Sequence, residues 1–531
     1  MIDFLSFGIS SDRLNLLISD TSYFKEMVNF GFSEYFKFHI IYDNISCIIV
    51  MIMSIPLIGI LGLLFIPNTK IKIIREFAFV ISLITFFLSL KLWINFNPMY
   101  GLQLFDYFLL SEGMAIFFGV DGVSLFLIIL TTFLIPLCIL SSWDNIFKEV
   151  KLYYILFLLL EFFLIGVFSV LDLLMFYIMY EAVLIPMFLI VGIYGSRERR
   201  IRAAYQLFIY TFVGSVLMLL CILILYSNFD TTNFLVLKQL CKFLTIEQEK
   251  ILFLGFFASL AVKIPMVPFH IWLPEAHSEA PTAGSVILAG ILLKMGGYGF
   301  FRFSIPLFPQ ATIYFTPFIY TLSILAVIYI SLTTLRQIDM KRLIAYSSVA
   351  HMGFVTIGLF SLTLEGTMGA IYLMLSHGIV SSALFLCVGV LYDRYKTRLI
   401  KYYGGTTITM PLFTIIFWIF IMANIGFPGT SSFIAEFTAL IGAFKSNSTI
   451  AFLATTGIIF GAAYSIWLYN RIAGGNIKII FFKGFKDLTR REFFVFAPCV
   501  FLTIWMGIYP SIFTDLISFS IIENIDLVYK L

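Results

Sequence analysis

Long apolar runs recur along almost the whole chain and are separated by short polar segments. A helix needs about 20 consecutive apolar residues to cross the hydrocarbon core of a bilayer, and we count about 14 runs near that length. The pattern predicts an all-α polytopic membrane protein with about 14 transmembrane helices. The predicted spans are residues 46–66, 74–95, 115–140, 151–169, 171–193, 204–227, 250–268, 283–302, 311–332, 342–361, 367–391, 411–443, 448–471 and 494–515.

The loop charges predict how these spans are oriented. Lys and Arg are concentrated in the loops that follow odd-numbered spans, as in the segment SRERRIR after the fifth, whereas the alternate loops hold few. Basic loops stay on the cytoplasmic or matrix side of a membrane. A missed span would scramble this alternation, so the charges support the count. Both termini are then expected on the opposite, electrically positive side.

Composition leads to the same class of protein. The chain has 531 residues, of which 61% are hydrophobic and 12% are charged, whereas soluble proteins average about one-quarter charged residues. The net charge of +4 is spread over many loops and forms no basic patch for nucleic acid. The six cysteines include no CxxC pair, and neither a GxGxxG nor a P-loop motif is present. We therefore expect no metal, cluster or nucleotide to be bound by this chain.

Polarity divides the chain into three parts. Residues 1–45 are mixed in polarity and are predicted to form an extension outside the bundle, packed on a partner. Residues 46–515 form the predicted transmembrane domain. Residues 516–531 are predicted to be a C-terminal tail along the membrane surface.

Several ionisable side chains lie inside the predicted spans, where a charge costs at least about 2.5–3.5 kcal/mol. Each of them could have a purely structural role instead of a role in proton transfer. For Glu161 and His377, the structural alternative is a position near a helix end, from which the side chain reaches the membrane interface. For His351 the alternative is a simple hydrogen bond between helices. Long apolar flanks weaken the structural alternative for the others. The full set is Glu161, Glu181, Lys263, Lys294, His351, His377 and Glu436.

Prolines interrupt the spans that carry these charges. A proline inside a helix leaves the carbonyl four residues earlier without its usual donor. Freed carbonyls need water or side-chain partners, so they are typical of wet cavities, although an ordinary packed kink is the alternative. The interrupting residues are Pro186, Pro265, Pro268 and Pro428.

The interruptions also suggest an internal repeat. The two strongly interrupted, charged spans are the seventh and the twelfth. An odd offset of five spans reverses orientation, which is the pattern of two inverted five-helix repeats with broken helices. The predicted halves are about residues 151–302 and 311–471.

One long stretch carries a specific resemblance. AVKIPMVPFHIWLPEAHSEAPTAGSVILAGILLKMGGYGFFRF, residues 261–303, resembles the subunit 4 family of mitochondrial NADH:ubiquinone oxidoreductase, respiratory complex I. Further stretches extend the resemblance, in order, over most of residues 117–515. They are FFGVDGVSLFLIILT, MYEAVLIPMFLIVGIYGSRERR, RQIDMKRLIAYSSVAHMGF, NIGFPGTSSFIAEF and DLTRREFFVFAPCVFLTIWMGIYP.

The resemblance implies an antiporter-like, proton-translocating subunit of the membrane arm, with fourteen helices and two inverted repeats. It implies a proton relay of Glu181, Lys263, Lys294, His351 and Glu436, in which Lys263 pairs with Glu181. It implies secondary roles for Glu161 and His377. This chain carries no redox centre. NADH, FMN, iron–sulfur clusters and ubiquinone are expected on partner subunits of the oxidoreductase, and structural phospholipids could lie along the chain.

The same resemblance implies a location and partners. We expect a multi-pass protein of the mitochondrial inner membrane, with a bacterial plasma membrane as the alternative. The expected partners are other membrane-arm subunits, neighbouring antiporter-like subunits among them, and the lipid bilayer. Two other functions stay open: a sodium/proton antiporter subunit that acts without NADH, and a structural spacer whose buried charges are vestigial.

The residues suggest how such a relay would work. Burial disfavours the charged form of a lysine, and a nearby carboxylate favours it. We therefore expect Lys263 to hold its proton when Glu181 is close and charged, and to release it otherwise. The proton would pass to Lys294, then to His351, and on to Glu436.

Overall fold

The computed structural model describes residues 48–111, 114–476 and 486–529, which form a helical bundle with one β-hairpin. The predicted extension at 1–45 lies outside these residues. The elements in chain order are α1 Ile48–Phe65, α2 Ile71–Asn95, β1 Gln103–Ser111, β2 Met114–Val120, α3 Gly122–Ser141, α4 Val150–Ser169, α5 Leu173–Ala182, α6 Leu184–Tyr194, α7 Arg200–Phe229, α8 Phe234–Leu240, α9 Ile246–Lys263, α10 Trp272–Glu279, α11 Thr282–Leu307, α12 Pro309–Leu335, α13 Met340–Phe360, α14 Leu364–Tyr395, α15 Thr406–Thr409, α16 Pro411–Ile425, α17 Ser431–Ser446, α18 Ser448–Ala473, α19 Arg490–Ile508 and α20 Ser511–Tyr529.

The all-α polytopic class is confirmed. Within the described ranges, 12 helices are long and apolar enough to cross a membrane, with α5 and α6 counted as one. Of the two remaining predicted spans, 250–268 corresponds to α9 and the break that follows it, and 411–443 corresponds to the interrupted pair α16–α17. The count of about 14 spans therefore stays a prediction.

A β-hairpin replaces the start of the predicted third span. Residues 115–120 belong to β2, which pairs antiparallel with β1. The helix begins only at Gly122, after Asp121, whose side chain accepts from the Ser124 amide. In the hairpin, Asp106 accepts from the amide of Ile49 at 3.0 Å and so caps the start of α1. Burial raises the pKa of Asp106, and its backbone hydrogen bonds act in the opposite direction.

Three helices form the centre of the bundle. Helices α11, α13 and α14 are buried along nearly their whole length, whereas α1, α2, α7, α18 and α19 expose apolar side chains. Apolar side chains on the outside are expected where lipid or a neighbouring subunit covers the surface. Ionisable groups in the middle of these helices, such as Lys294, His351 and His377, are consequently shielded from both lipid and water by the protein itself.

Both predicted helix breaks are confirmed. Helix α9 ends at Lys263 and α10 begins at Trp272, and residues 264–271 between them are not helical. Helix α16 ends at Ile425 and α17 begins at Ser431. Helix α11 packs closely against the first break, because a Cβ at Gly296 would lie 2.6 Å from Cγ1 of Ile264.

The C-terminal segment is a helix packed on the protein. The predicted boundary at residue 515 falls inside α20. Helix α20 packs against α3, the end of α11, the start of α12 and α14. Its polar contacts are Ser520 with the Gly122 amide, Asn524 with the Phe301 carbonyl, Tyr529 with the Leu362 carbonyl, and Glu523 with Lys238.

Candidate functional site

Lys263 is the last residue of α9 and is buried at the first helix break. Its Nζ donates to the backbone carbonyl of Tyr180 at 2.8 Å and lies 3.4 Å from the centroid of the Tyr180 ring. Both the carbonyl dipole and the aromatic face attract an ammonium group, which offsets part of its desolvation cost. Tyr180, which the sequence did not single out, is therefore the direct partner of Lys263.

Glu181 lies beside this contact, in the last turn of α5. Its Oε1 is buried and has no hydrogen-bond partner in the described part of the chain. The carboxylate of Glu181 and the amine of Lys263 are both described, and they lie more than 4.0 Å apart, too far for an ion pair. The two groups nevertheless interact electrostatically. Glu181 and Lys263 therefore interact without direct contact, and the hydrogen bond to Lys263 is made by the Tyr180 carbonyl.

The carbonyls freed at this break are mostly satisfied by the protein. The Ala261 carbonyl, to which Pro265 cannot donate, accepts a hydrogen bond from the Met266 amide at 2.9 Å. The Val262 carbonyl accepts from the indole Nε1 of Trp272 at 3.0 Å. These bonds fix the geometry of the break around Lys263.

Lys294 and His377 form the central contact of the site. Lys294 lies on α11 and has no exposed surface. Its Nζ donates to the Ala289 carbonyl at 2.5 Å and lies 2.9 Å from Nδ1 of His377 on α14. An ammonium can only donate, so this geometry fits a charged lysine with a neutral imidazole, or a neutral amine with an imidazolium.

His351 and Glu436 form a second contact. Nδ1 of His351, on α13, lies 3.0 Å from Oε1 of Glu436, on α17, and both side chains are buried. The rings of His351 and His377 have centroids 5.6 Å apart. Four ionisable side chains thus follow one another from α11 to α17, through the middle of the bundle.

The order of this series differs from the predicted one. His377, predicted as secondary, contacts Lys294 directly, and His351 is one step further away. The structural alternative of a side chain reaching the interface is wrong for His377, which is buried in the centre of α14. Lys263 and Lys294 share no direct hydrogen bond, and their helices meet at Gly296.

Glu161 is buried away from this series. It lies on α4, and the Thr85 hydroxyl of α2 contacts its Oε1 at 2.5 Å. The same hydroxyl lies 2.8 Å from the Ser82 carbonyl. Because Glu161 has no exposed surface, the alternative that it reaches the membrane interface is wrong.

Glu436 is packed against the second helix break. Gly426, directly after α16, has φ +78°, a left-handed conformation that favours glycine. A Cβ on Gly426 would lie 2.9 Å from Oε2 of Glu436. The break therefore fixes the position of the Glu436 carboxyl group.

We expect Gly426→Ala to destabilise the protein and to displace Glu436. The backbone conformation costs a residue with a Cβ about 1–2 kcal/mol, and the contact with Glu436 adds to it. Gly475→Ala is the matched control, because Gly475 also has φ +78° but a Cβ there would meet open space. Thermal denaturation measures the difference, and equal effects of the two variants would contradict the role of the Glu436 contact.

The sequence prediction missed several buried polar groups. His277 and Lys341 are buried near the basic-loop face. Arg302 and Asp121 form a buried ion pair at 3.2 Å near the opposite face. His277 falls in α10, outside the predicted spans, and the others lie at span ends, where charges are common. A signal for His277 was nonetheless present, because it belongs to the stretch PFHIWLPEAHSEAP that carried the resemblance.

Comparison with known proteins gives consistent results along the chain. Residues 45–171 match the family model described as NADH-ubiquinone oxidoreductase chain 4, amino terminus. Residues 170–461 match the model described as NADH:quinone oxidoreductase/Mrp antiporter, TM. The fold also resembles a chain of the Mrp complex from Dietzia sp. DQ12-45-1b, with a TM-score of 0.81, 17% identity, and coverage of 91% of this chain and 98% of that one. That likeness concerns the fold alone.

Relatives of higher identity are more specific. The NADH-ubiquinone oxidoreductase chain 4 of Chondrus crispus is 60% identical over 89% of this chain and 96% of its own length. The protein of the same name from Arabidopsis thaliana is 56% identical, over 90% and 96%. A chain of respiratory complex I from Thermus thermophilus with bound NADH is 31% identical, with a TM-score of 0.82, over 90% of this chain and 99% of that one. The chain therefore belongs to the family of NADH-ubiquinone oxidoreductase chain 4.

Proposed function

We propose that the chain translocates protons across the mitochondrial inner membrane as a membrane-arm subunit of NADH:ubiquinone oxidoreductase. The observation that carries the proposal is the buried series Lys294, His377, His351 and Glu436, in which two of the three steps are contacts of about 3 Å. Burying four ionisable groups is costly, and proteins keep such groups inside a membrane mainly where they have a function. A full set of hydrogen-bond partners would reduce the cost. Here Nε2 of both histidines is buried without a partner among the described residues.

Proton exchange along this series uses ordinary acid–base chemistry. The Lys294 ammonium donates to Nδ1 of His377, since two adjacent cations would repel each other. His377 and His351 are not in direct contact, so rotation of a ring or a bridging water would complete this step. His351 then donates to the Glu436 carboxylate. Every step moves one proton between a nitrogen and a nitrogen or an oxygen.

Lys263 is proposed to control entry into this series. Tyr180 holds its ammonium by one hydrogen bond and by its ring. Glu181 stabilises the same charge from outside direct contact. Movement of Glu181 towards Lys263 would strengthen the charged form, and movement away would release a proton towards α11, which packs against the break at Gly296.

The driving force must come from partner subunits. The proposal assigns no cofactor to this chain and leaves NADH, FMN, the iron–sulfur clusters and ubiquinone to other subunits. The exposed apolar faces of α1, α2, α7, α18 and α19 provide surfaces for lipid and for neighbouring subunits. A shift transmitted through such a contact could change the distance between Glu181 and Lys263.

We expect Lys263→Ala to reduce proton pumping by the assembled enzyme about tenfold, because the gating charge is lost while the Lys294 series remains. Pumping per NADH oxidised in sealed membrane vesicles is the measurement. Lys250→Ala is the matched control, since Lys250 lies on the same helix and over a tyrosine ring, that of Tyr314, but near the helix start. The control should pump normally.

The alternatives make different predictions in the same assay. A structural spacer predicts full pumping by the Lys263→Ala enzyme, and that outcome would reject the proposal. A sodium/proton antiporter subunit predicts that transport depends on sodium. Transport that continues unchanged in sodium-free medium excludes that alternative.

A further inference from the structure

A cavity lies at the basic-loop face of the bundle, between α3, α11, α14 and α19. Basic loops mark this face as the matrix side. Apolar side chains form part of its wall, and the polar side chains that line it are Ser141, Thr282, Asp393, Arg491 and Glu492.

Asp393 differs from the other charged groups of this cavity. Arg491 forms an ion pair with Asp144, and Glu492 accepts two hydrogen bonds from Arg394 at 2.7 and 2.8 Å. Half-buried Asp393 accepts a hydrogen bond from Asn145 at 2.7 Å, and it has no ion pair among the described residues. A carboxylate that is not committed to a basic partner is suited to take up and release protons.

Lys341 lies further inside, at the start of α13. It is buried, and its Nζ donates to the Ala280 carbonyl at 2.8 Å and to the Ser285 hydroxyl at 3.2 Å. It interacts electrostatically with Arg398, Asp339 and Glu279, and more weakly with Asp393. Lys341 is therefore a buried lysine whose direct hydrogen-bond partners are neutral.

His277 interacts with both Lys341 and the central series. It has no exposed surface, and its ring stacks on Phe385 with centroids 4.5 Å apart. Both ring nitrogens are buried and lack partners in the described part of the chain. It interacts electrostatically with Lys341, with Lys294 and with His377. Leaving both nitrogens of a buried imidazole unsatisfied is costly, which favours a role in proton transfer over a packing role.

We propose that Asp393 collects protons from the matrix, and that Lys341 and His277 pass them to the Lys294–His377 pair. This inference rests on the proposed proton-translocating function and adds its uptake route. The Asp393 carboxyl donates to the Lys341 amine, the Lys341 ammonium to a ring nitrogen of His277, and the imidazolium to Lys294, each directly or through water. No bonds other than N–H and O–H form or break.

The charges around Asp393 bear on its pH dependence. Arg394 and Lys396 of its own helix favour the carboxylate, and Glu492 of α19 opposes it. Arg491 lines the same cavity, and Lys341 faces Asp393 from α13. Partial burial and Glu492 favour the protonated carboxyl group, whereas the Asn145 hydrogen bond and the basic groups favour the carboxylate. Because these influences oppose each other, Asp393 can both accept a proton from the matrix and release it.

The test is Asp393→Asn in the assembled enzyme, in vesicles whose matrix face is outward. Proton pumping should fall at least about tenfold in alkaline medium and change little in acidic medium, where protons reach the interior without a collecting group. Asp393→Glu should restore the normal pH profile. Asp144→Asn is the matched control, because it removes an acid at the same face that is paired with Arg491, and its profile should stay normal.

The outcomes separate this inference from the proposed function. If the profile of Asp393→Asn matches that of Asp144→Asn, the uptake route is wrong, even when Lys263→Ala still reduces pumping. Full pumping by Lys263→Ala would reject the proposed function itself. If Asp393→Asn prevents assembly, His277→Phe removes both ring nitrogens of the proposed route and keeps an aromatic ring against Phe385. Reduced pumping by that variant supports the route, and normal pumping overturns it.

Discussion

Replacing Lys294 with methionine should abolish proton pumping by the assembled enzyme. In the proposed relay, Lys294 donates the proton that then moves through His377, His351 and Glu436. Methionine has a side chain of similar length but carries no transferable proton. The side chain is completely buried, so no water-exposed group can replace it. Among the described residues, the Lys294 amine bonds to the Ala289 carbonyl and to His377, so its loss should leave the helix itself intact.

The measurement is the ratio of protons translocated to NADH oxidised, in sealed vesicles. Lys72→Met is the matched control, because Lys72 lies on a membrane helix but is exposed and forms only a surface pair with Glu76. That control should pump normally. Substantial residual pumping by Lys294→Met would show that protons bypass the central series, and the proposed order of transfer would then be wrong.

Among the substitutions proposed for this protein, Arg302→Met should cause the largest loss of stability. Arg302 and Asp121 form a buried ion pair at 3.2 Å that joins the end of α11 to the start of α3. Removing one partner leaves the other charge buried and unpaired, which costs about 3–5 kcal/mol. We expect a clear fall in the midpoint temperature of thermal denaturation of the purified enzyme.

A double variant separates the charge from the packing. Asp121→Asn combined with Arg302→Met removes both charges, and asparagine can still cap α3, so much of the stability should return. Arg491→Met, which breaks an exposed pair, should have little effect. The explanation fails if the double variant is no more stable than Arg302→Met alone.

The fold class and the breaks were predictable because each depends on local chemistry. Apolar runs long enough to cross a bilayer stand out in any sequence. Pro268 and Pro428 fall at the two breaks, as a proline's missing donor favours, although Pro136 and Pro498 lie inside continuous helices. The hairpin was missed because β2, Met114–Val120, is as apolar as the helix that follows it. Its strand conformation depends on pairing with β1, which hydrophobicity does not report.

The members of the site were also visible, but their order was not. Charged and histidine residues inside apolar spans are conspicuous, so all four members of the central series were found. Which of His351 and His377 contacts Lys294 depends on how α11, α13 and α14 pack, and no spacing along the chain contains that information. Tyr180 escaped notice because its carbonyl, not its side-chain hydroxyl, binds Lys263.

Helix α20 limits the motions available to the molecule. It contacts the amide of Gly122 and the carbonyl of Phe301, and it also contacts the carbonyl of Leu362, beyond the start of the second set of spans. Transporters that work by alternating access rock one half of the protein against the other. A helix fastened to both sides would have to detach on every cycle. Rotation of individual side chains, within a scaffold that stays still, is the motion that this architecture permits.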